Sequence, residues 1–251
     1  SSFAACEPVP RPHRMSCYDA AVIGAGPAGL TAATYLGRFR RKALVLDGGP
    51  SRASWIPETH NTPGFSRGIS GPGLLALLRD QAGQYGAEIR AARAETIERN
   101  ETGFTLTLDQ GAVQAAFVLL ATGVIDIKPA LPGIDDAIRS SLVRSCPICD
   151  AYEAIDKRIA ILGDGDLGAR EALFLRHYSK DVTVLHIGAA ALSDPGALES
   201  AGIKVVAVRL DQIRLGEGEL AVEGKVFDHL YLALGCKPQS DLVRQLAAAH
   251  D

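Results

Sequence analysis

Asp19-Ala20-Ala21-Val22-Ile23-Gly24-Ala25-Gly26-Pro27-Ala28-Gly29 decides the fold. The apolar run ending at Ile23 suits a strand buried on both faces, and it enters a glycine-rich turn without a spacer. Leu30 to Gly37 then reads as a helix, and Lys42 to Leu46 as a second strand running into Asp47. Strand, glycine turn, helix, strand and acid together make a dinucleotide-binding βαβ unit. The first glycine permits the tight turn, the second lets a pyrophosphate approach the backbone, and the third packs helix on strand. An acid about 20 residues on holds a ribose hydroxyl. Gly24, Ala25, Gly26, Pro27, Ala28, Gly29, Asp47 and the adjoining Gly48 are therefore candidate contacts of a bound nucleotide.

The pattern recurs further along the chain. Arg158 to Leu162 is another buried strand, followed by Gly163-Asp164-Gly165-Asp166-Leu167-Gly168, a helix through Tyr178 and a strand from Asp181 to Leu185. Two such units make this an α/β chain with two doubly wound Rossmann-like domains. The second copy is imperfect. Asp164 and Asp166 put carboxylates where phosphates should approach, and the second strand ends in His186-Ile187-Gly188, with neither a ribose-binding acid nor a pair of arginines. Gly163, Gly165, Asp166, Gly168 and Glu171 are the candidate contacts of this second site.

Between the two signatures lies Ser145-Cys146-Pro147-Ile148-Cys149-Asp150. Thiols at this spacing can close and open a disulfide, and the positive end of a helix lowers a cysteine pKa from about 8.5 toward about 7. A structural zinc would need four ligands, and no second Cys or His pair stands at suitable spacing, so no metal is expected. Two idle buried cysteines would not explain a place between two nucleotide signatures. Cys6, Cys17 and Cys236 have no partner nearby in sequence, which suggests a reducing cytoplasm with one working pair.

Composition narrows the classes. With 26 Lys+Arg against 29 Asp+Glu, a formal charge of -3 and no basic cluster, a nucleic-acid binder is excluded. The longest apolar runs fall far short of the roughly 18 residues of a membrane span. Residues 1–14, with three prolines, read as a disordered leader, and Met15 as the natural start.

Gly48 to Ile69, rich in Gly, Pro, Ser and Arg, should be a long loop over the bound nucleotide. Within it Asn61 is a polar candidate, and His60 reads as a surface or cap histidine. Leu74 to Gln81 suggests a helix and Phe104 to Leu108 a half-buried strand. Ala121-Thr122-Gly123 is a small-residue turn that lets backbone approach a ligand. Val124 to Gly133 reads as one linker and Gly235-Cys236-Lys237-Pro238 as the return, with Cys236 incidental.

Gly24 to Gly29, Asn61-Thr62-Pro63-Gly64-Phe65, Gly68-Ile69-Ser70-Gly71, Ala121-Thr122-Gly123 and Cys146 to Asp150 occur in the order and spacing of thioredoxin reductases of the low-molecular-weight bacterial type. The resemblance runs from about Tyr18 to Leu242. It implies an FAD-binding domain (15–124 and 240–251) interrupted by a pyridine-nucleotide domain (125–239) that carries the redox disulfide. By the same resemblance Cys149 faces the flavin, Cys146 exchanges with a thioredoxin-like protein disulfide, Asp150 protonates the leaving thiolate, and the complete protein is a homodimer. Pro147-Ile148 and Ala151 depart from the commonest version of the motif, which suggests a divergent subgroup.

NADPH-using relatives grip the 2′-phosphate with arginines after the second strand of the inserted domain. Here no Lys or Arg stands between Lys180 and Lys204, which ranks NADH, or a donor such as reduced ferredoxin, above NADPH. Relatives also continue into a second FAD signature that this chain lacks, so an incomplete flavin domain and a mostly colourless, poorly folded preparation are expected. Two alternatives stand beside the reductase: a flavin-dependent dithiol oxidase using oxygen, against which Asp150 counts because such oxidases often carry a histidine there, and an inactive fragment retained as a binding module.

Overall fold

The computed structural model describes residues 16–188, 190–216 and 218–247, so the expected leader lies outside the described residues. The chain divides into two compact units. The first comprises the described residues up to Ser54, Pro72–Val124, and the chain from Pro238 onward; the second comprises Trp55–Gly71 and Ile125–Lys237.

In the first unit β1 (Ser16–Ile23), α1 (Pro27–Arg38) and β2 (Ala43–Leu46) form the βαβ unit read from the sequence. They are followed by α2 (Gly71–Gln84), β3 (Glu88–Arg90), β4 (Ala94–Asn100), β5 (Gly103–Leu108) and β6 (Gly111–Leu120). One six-stranded sheet results, in the order β3-β2-β1-β6-β5-β4. Strand β1 runs parallel to both β2 and β6, with Ala21 in register with Leu44 on one side and Val118 on the other. β4, β5 and β6 are antiparallel. Ala21, Ile23, Leu44 and Leu46 enter one core with Leu106, whereas Val22 and Val45 enter the opposite core with Leu30 and Ala33. Both faces of the sheet are covered, which is why these strands read as unbroken apolar runs instead of alternating ones.

The second unit begins in β7 (Val124–Asp126), α3 (Ile134–Arg139), β8 (Val143–Arg144) and α4 (Pro147–Asp150). The second βαβ unit is β9 (Ile159–Gly163), α5 (Asp166–Leu175) and β10 (Val182–His186), continued by α6 (Pro195–Ser200) and β11 (Lys204–Ala207). A small antiparallel sheet of β12 (Ile213–Leu215), β13 (Leu220–Val222) and β14 (Lys225–Phe227) precedes β15 (His229–Ala233). The main sheet is five-stranded and parallel, in the order β11-β10-β9-β15-β8. Where the chain passes between units, β7 pairs with β16 (Cys236–Pro238), so the expected linkers are partly strand. The last element, α7 (Asp241–Ala247), rejoins the first unit: the Gln245 side chain accepts from the Ile97 amide at 3.0 Å and donates to the Glu95 carbonyl at 3.2 Å.

One boundary differs from the sequence reading. Trp55–Gly71, expected to belong with the first unit, packs with the second. Trp55 lies against the core of Leu131, Ile138 and Phe227, with the Lys128 ammonium 3.9 Å from its ring centroid. An aromatic face that meets both a core and a cation is a strong local anchor, and no periodicity signals it.

Candidate active site

Cys146 and Cys149 are joined in a disulfide, their Cα atoms 5.2 Å apart. Cys146 caps α4, Pro147 starts it with a missing N–H that costs nothing there, and Ile148 points outward with 87% exposure. Four residues cannot sustain a helix alone. The turn is instead anchored by the 3₁₀ segment Ala151–Ala154, whose Ala151 and Ala154 are buried among Ile159, Leu175 and Tyr231. Ala151 has ordinary right-handed helical angles, so its position makes no demand for glycine.

Asp150 is held at two points. Arg144 Nη1 donates to Oδ2 at 2.9 Å, and the Tyr231 hydroxyl donates to Oδ1 at 3.0 Å and reaches the Asp150 carbonyl at 3.3 Å. Burial pushes the Asp150 carboxyl above the usual range, and the Arg144 cation and the hydrogen bonds oppose the rise without cancelling it. Burial and the Asp150 charge also raise the Tyr231 phenol. His229 Nδ1 lies 3.4 Å from Arg144 Nε and 3.2 Å from the Ser141 carbonyl, accepting from the first or donating to the second according to the tautomer. Burial, aided by the Arg144 charge, lowers His229 to about 4, so the ring is neutral at physiological pH.

The segment preceding α2 meets this turn. The Asn61 amide donates to the Cys149 carbonyl at 3.0 Å, and His60 Nδ1 lies 3.3 Å from Glu153 Oε1. His60, read as a surface or cap residue, is thus paired. Asn61, expected to face a cofactor, donates to the disulfide turn and accepts from Thr59 Oγ1 at 2.7 Å. Among the described residues Glu153 Oε2 is buried without a hydrogen-bond partner. Arg144, Tyr231, His229 and Glu153 escaped the sequence reading: Tyr231 sits in an apolar run that reads as plain core, and Arg144 carries no motif.

The first glycine turn fits a dinucleotide. Gly24 has φ +112°, and a Cβ there would stand 2.3 Å from the Ala121 carbonyl oxygen; one on Gly29 would stand 1.9 Å from that of Gly24. At the start of α1 no side chain caps the helix and no acid lies in the first turn, so backbone N–H groups and the positive dipole end are presented to an anion. Beside Gly26 the nearest atom to such a Cβ is Ser51 Oγ, at 3.1 Å. Asp47 is engaged by Arg79 at 2.6 Å and by the Gly49 amide at 3.4 Å. The Ala121-Thr122-Gly123 turn is tied to the returning chain: Thr122 Oγ1 donates to the Gln239 carbonyl at 2.6 Å, and the Gln239 amide to the Gly123 carbonyl at 3.1 Å.

The second glycine turn keeps the close packing of helix on strand, with a Gly163 Cβ falling 2.9 Å from Gly168 Cα. Its carboxylates do not simply face a phosphate position. Asp164 accepts from the Ala190 amide at 3.2 Å, and Asp166 from the Ser193 amide and hydroxyl at 2.8 and 2.6 Å, bonds that hold Asp166 below the usual carboxylate range. The Gly165 amide donates to His186 Nε2 at 3.2 Å. The scaffold suits a dinucleotide and offers no cation between Asp181 and Ile203. Glu171 Oε2 is buried with no hydrogen-bond partner among the described residues, and burial pushes its carboxyl up to about 7.

Cys236 is a free, exposed thiol. Cys17 is disulfide-bonded, although it was read as having no partner nearby in sequence. Among the described residues no cluster could hold a metal ion, and no helix is long and apolar enough to cross a membrane.

Residues 18–249 match the family model described as pyridine nucleotide-disulphide oxidoreductase. The thioredoxin reductase of Mycolicibacterium smegmatis is 31% identical over 92% of this chain and 79% of its own length. That of Streptomyces coelicolor is 32% identical over 89% and 75%. The solved structure of HlmI aligns with a TM-score of 0.80 at 27% identity over 90% of this chain and 74% of that one. Thioredoxin reductase from Streptococcus pyogenes aligns at 0.81 with 23% identity over 93% and 81%, a likeness of fold.

Proposed function

The chain belongs to the pyridine nucleotide-disulphide oxidoreductases, and on that premise we propose that it is a thioredoxin reductase-like flavoenzyme whose Cys146–Cys149 disulfide delivers electrons to a thioredoxin-like protein disulfide. The family implies FAD and NAD(P)H. FAD, when bound, would supply a two-electron store. Gly24, Ala25, Gly26, Pro27, Ala28 and Gly29 would hold its pyrophosphate and Asp47 a ribose, with Gly48 and Ala121-Thr122-Gly123 close by.

Two electrons and two protons convert the disulfide to a dithiol. The Cys146 thiolate then attacks the partner's disulfide, forming a mixed disulfide and expelling a partner thiolate that takes up a proton. Cys149 attacks the Cys146 sulfur, releasing the partner as a dithiol and restoring the internal bond. Asp150 supplies a proton to the sulfur that leaves when the internal disulfide opens. The observation that carries this reading is a closed C-x-x-C disulfide at a helix start with a partly buried carboxyl directly behind it. Asp150→Asn should retain flavin and slow disulfide reduction by about 10²-fold. An unaltered rate would reduce Asp150 to a structural residue.

For the donor, the segment after β10 supplies no cation for a 2′-phosphate. Charge-assisted hydrogen bonds are worth about 1.5–3 kcal/mol, so lacking two costs about 10²–10⁴ in affinity. NADH avoids that penalty, and reduced ferredoxin would avoid the turn altogether. Gly163, Gly165, Asp166, Gly168 and Glu171 would line whatever nucleotide enters. Anaerobic titration of the flavin spectrum with NADH, NADPH and reduced ferredoxin decides the order, and efficient reduction by micromolar NADPH would reverse it. A dithiol oxidase and an inactive binding module gain no support from the relatives, which are named thioredoxin reductases.

A further inference from the structure

Asp150 follows the disulfide on a helix too short to orient it, so its carboxyl must be placed by something else. Two residues on adjacent parallel strands do this. Arg144 on β8 and Tyr231 on β15 are register partners, and each donates to a different oxygen of the same carboxylate. Two donors on two oxygens leave the carboxyl no rotation that keeps both bonds. The Tyr231 hydroxyl also lies within reach of the Asp150 main-chain carbonyl, so one group holds both the side chain and the end of α4. Tyr231 is itself fully buried in the core beneath the turn and cannot swing away.

Arg144 is fixed in turn. Its side chain is 13% exposed, and its Nε is directed at His229, two residues before Tyr231 on the same strand. Nδ1 also lies 3.2 Å from the Ser141 carbonyl, so one neutral tautomer accepts from Arg144 and the other donates to Ser141, and neither adds a second positive charge. Glu153 is the other charged group acting on Asp150, and its Oε1 lies 3.3 Å from His60 Nδ1. Asp228 and Lys157 act on His229 with opposite signs.

We infer that Arg144 and Tyr231 are positioning residues for the disulfide chemistry: acting through Asp150, they fix the turn that carries the disulfide and govern when the carboxyl beside it holds a proton. This rests on the proposed acid role of Asp150 and adds its control. Both groups stabilise the charged carboxylate, and burial opposes them. Removing either therefore shifts the balance toward the protonated acid.

The test is a carboxyl titration, by isotope-edited infrared or carbon NMR, in the flavin-loaded protein with the Asp150 signal assigned by its loss in Asp150→Asn. Arg144→Met should raise the Asp150 midpoint by a pH unit or more and Tyr231→Phe by less, with the alkaline fall in disulfide-reduction rate moving upward in step. Arg144→Met leaves a partly buried carboxyl without its cation; if it does not fold, Tyr231→Phe removes only one oxygen and carries the same test. An unmoved midpoint in the folded variants overturns the inference. A midpoint that moves while the rate profile stays fixed upholds the control by Arg144 and Tyr231 and overturns the acid role of Asp150.

Discussion

The Asn61 side-chain amide donates to the main-chain carbonyl of Cys149 across 88 positions of sequence. The bond satisfies one of the carbonyls that a four-residue helix leaves without partners, and it lies on the partly exposed side of the turn. Asn61→Ala should therefore cost about 0.5–1.5 kcal/mol in urea unfolding and leave the flavin-to-protein ratio unchanged. A loss of flavin with no loss of stability would return Asn61 to the cofactor contact read from sequence.

The glycines of the first turn should not respond alike. Ala at position 29 would drive a Cβ against the Gly24 carbonyl, where neither backbone can yield, so Gly29→Ala should abolish soluble, flavin-loaded protein. Gly26→Ala meets only the Ser51 hydroxyl, the end of a side chain that can turn aside. It should fold and lose flavin affinity, because the added methyl fills the approach to the backbone. Flavin absorbance per mole of purified protein separates the two.

Glu171 links stability to pH. Its carboxyl titrates near 4.5 when unfolded and at about 7 when folded, so folding disfavours its charged form. The unfolded state loses the proton first, and stability from this group therefore falls as pH rises from 4.5 through 7 and stays low above it. Such a difference corresponds to about 3 kcal/mol, and solvent at the half-buried side chain reduces that to about 1 kcal/mol. Glu171→Gln should raise stability at pH 8 and change little at pH 4, measured by urea melts. Equal gains at both pH values would point to packing.

Two disulfides should behave differently toward electrons. Supplying reducing equivalents through the flavin should expose two thiols, from Cys146 and Cys149, and the gain should vanish in Cys149→Ser. Cys17→Ser should keep it, since Cys17 lies on β1 of the first unit and carries no redox turn. Alkylation and mass mapping under anaerobic reduction would show which sulfurs respond. Thiols arising at Cys17 would require a second redox path.

Much of this protein was legible in local sequence. Both βαβ units were readable because buried parallel strands are continuous apolar runs and glycine turns fall at fixed intervals, and the disulfide was readable because its two cysteines are three residues apart. Short strands such as β3, β8 and β16 were not, since two or three residues carry no period. Only the tertiary structure decided that Trp55–Gly71 packs with the second unit, since the cation and core that hold Trp55 come from residues far along the chain. It also decided the surroundings of Asp150. Arg144 and Tyr231 become neighbours only when β8 and β15 pair in register, and a hydroxyl inside an apolar strand looks like core until its partner across the sheet is known. Motif spacing thus determined which atoms can react, while strand pairing determined which atoms hold them, because a hydrogen bond between distant positions leaves no mark on either segment alone.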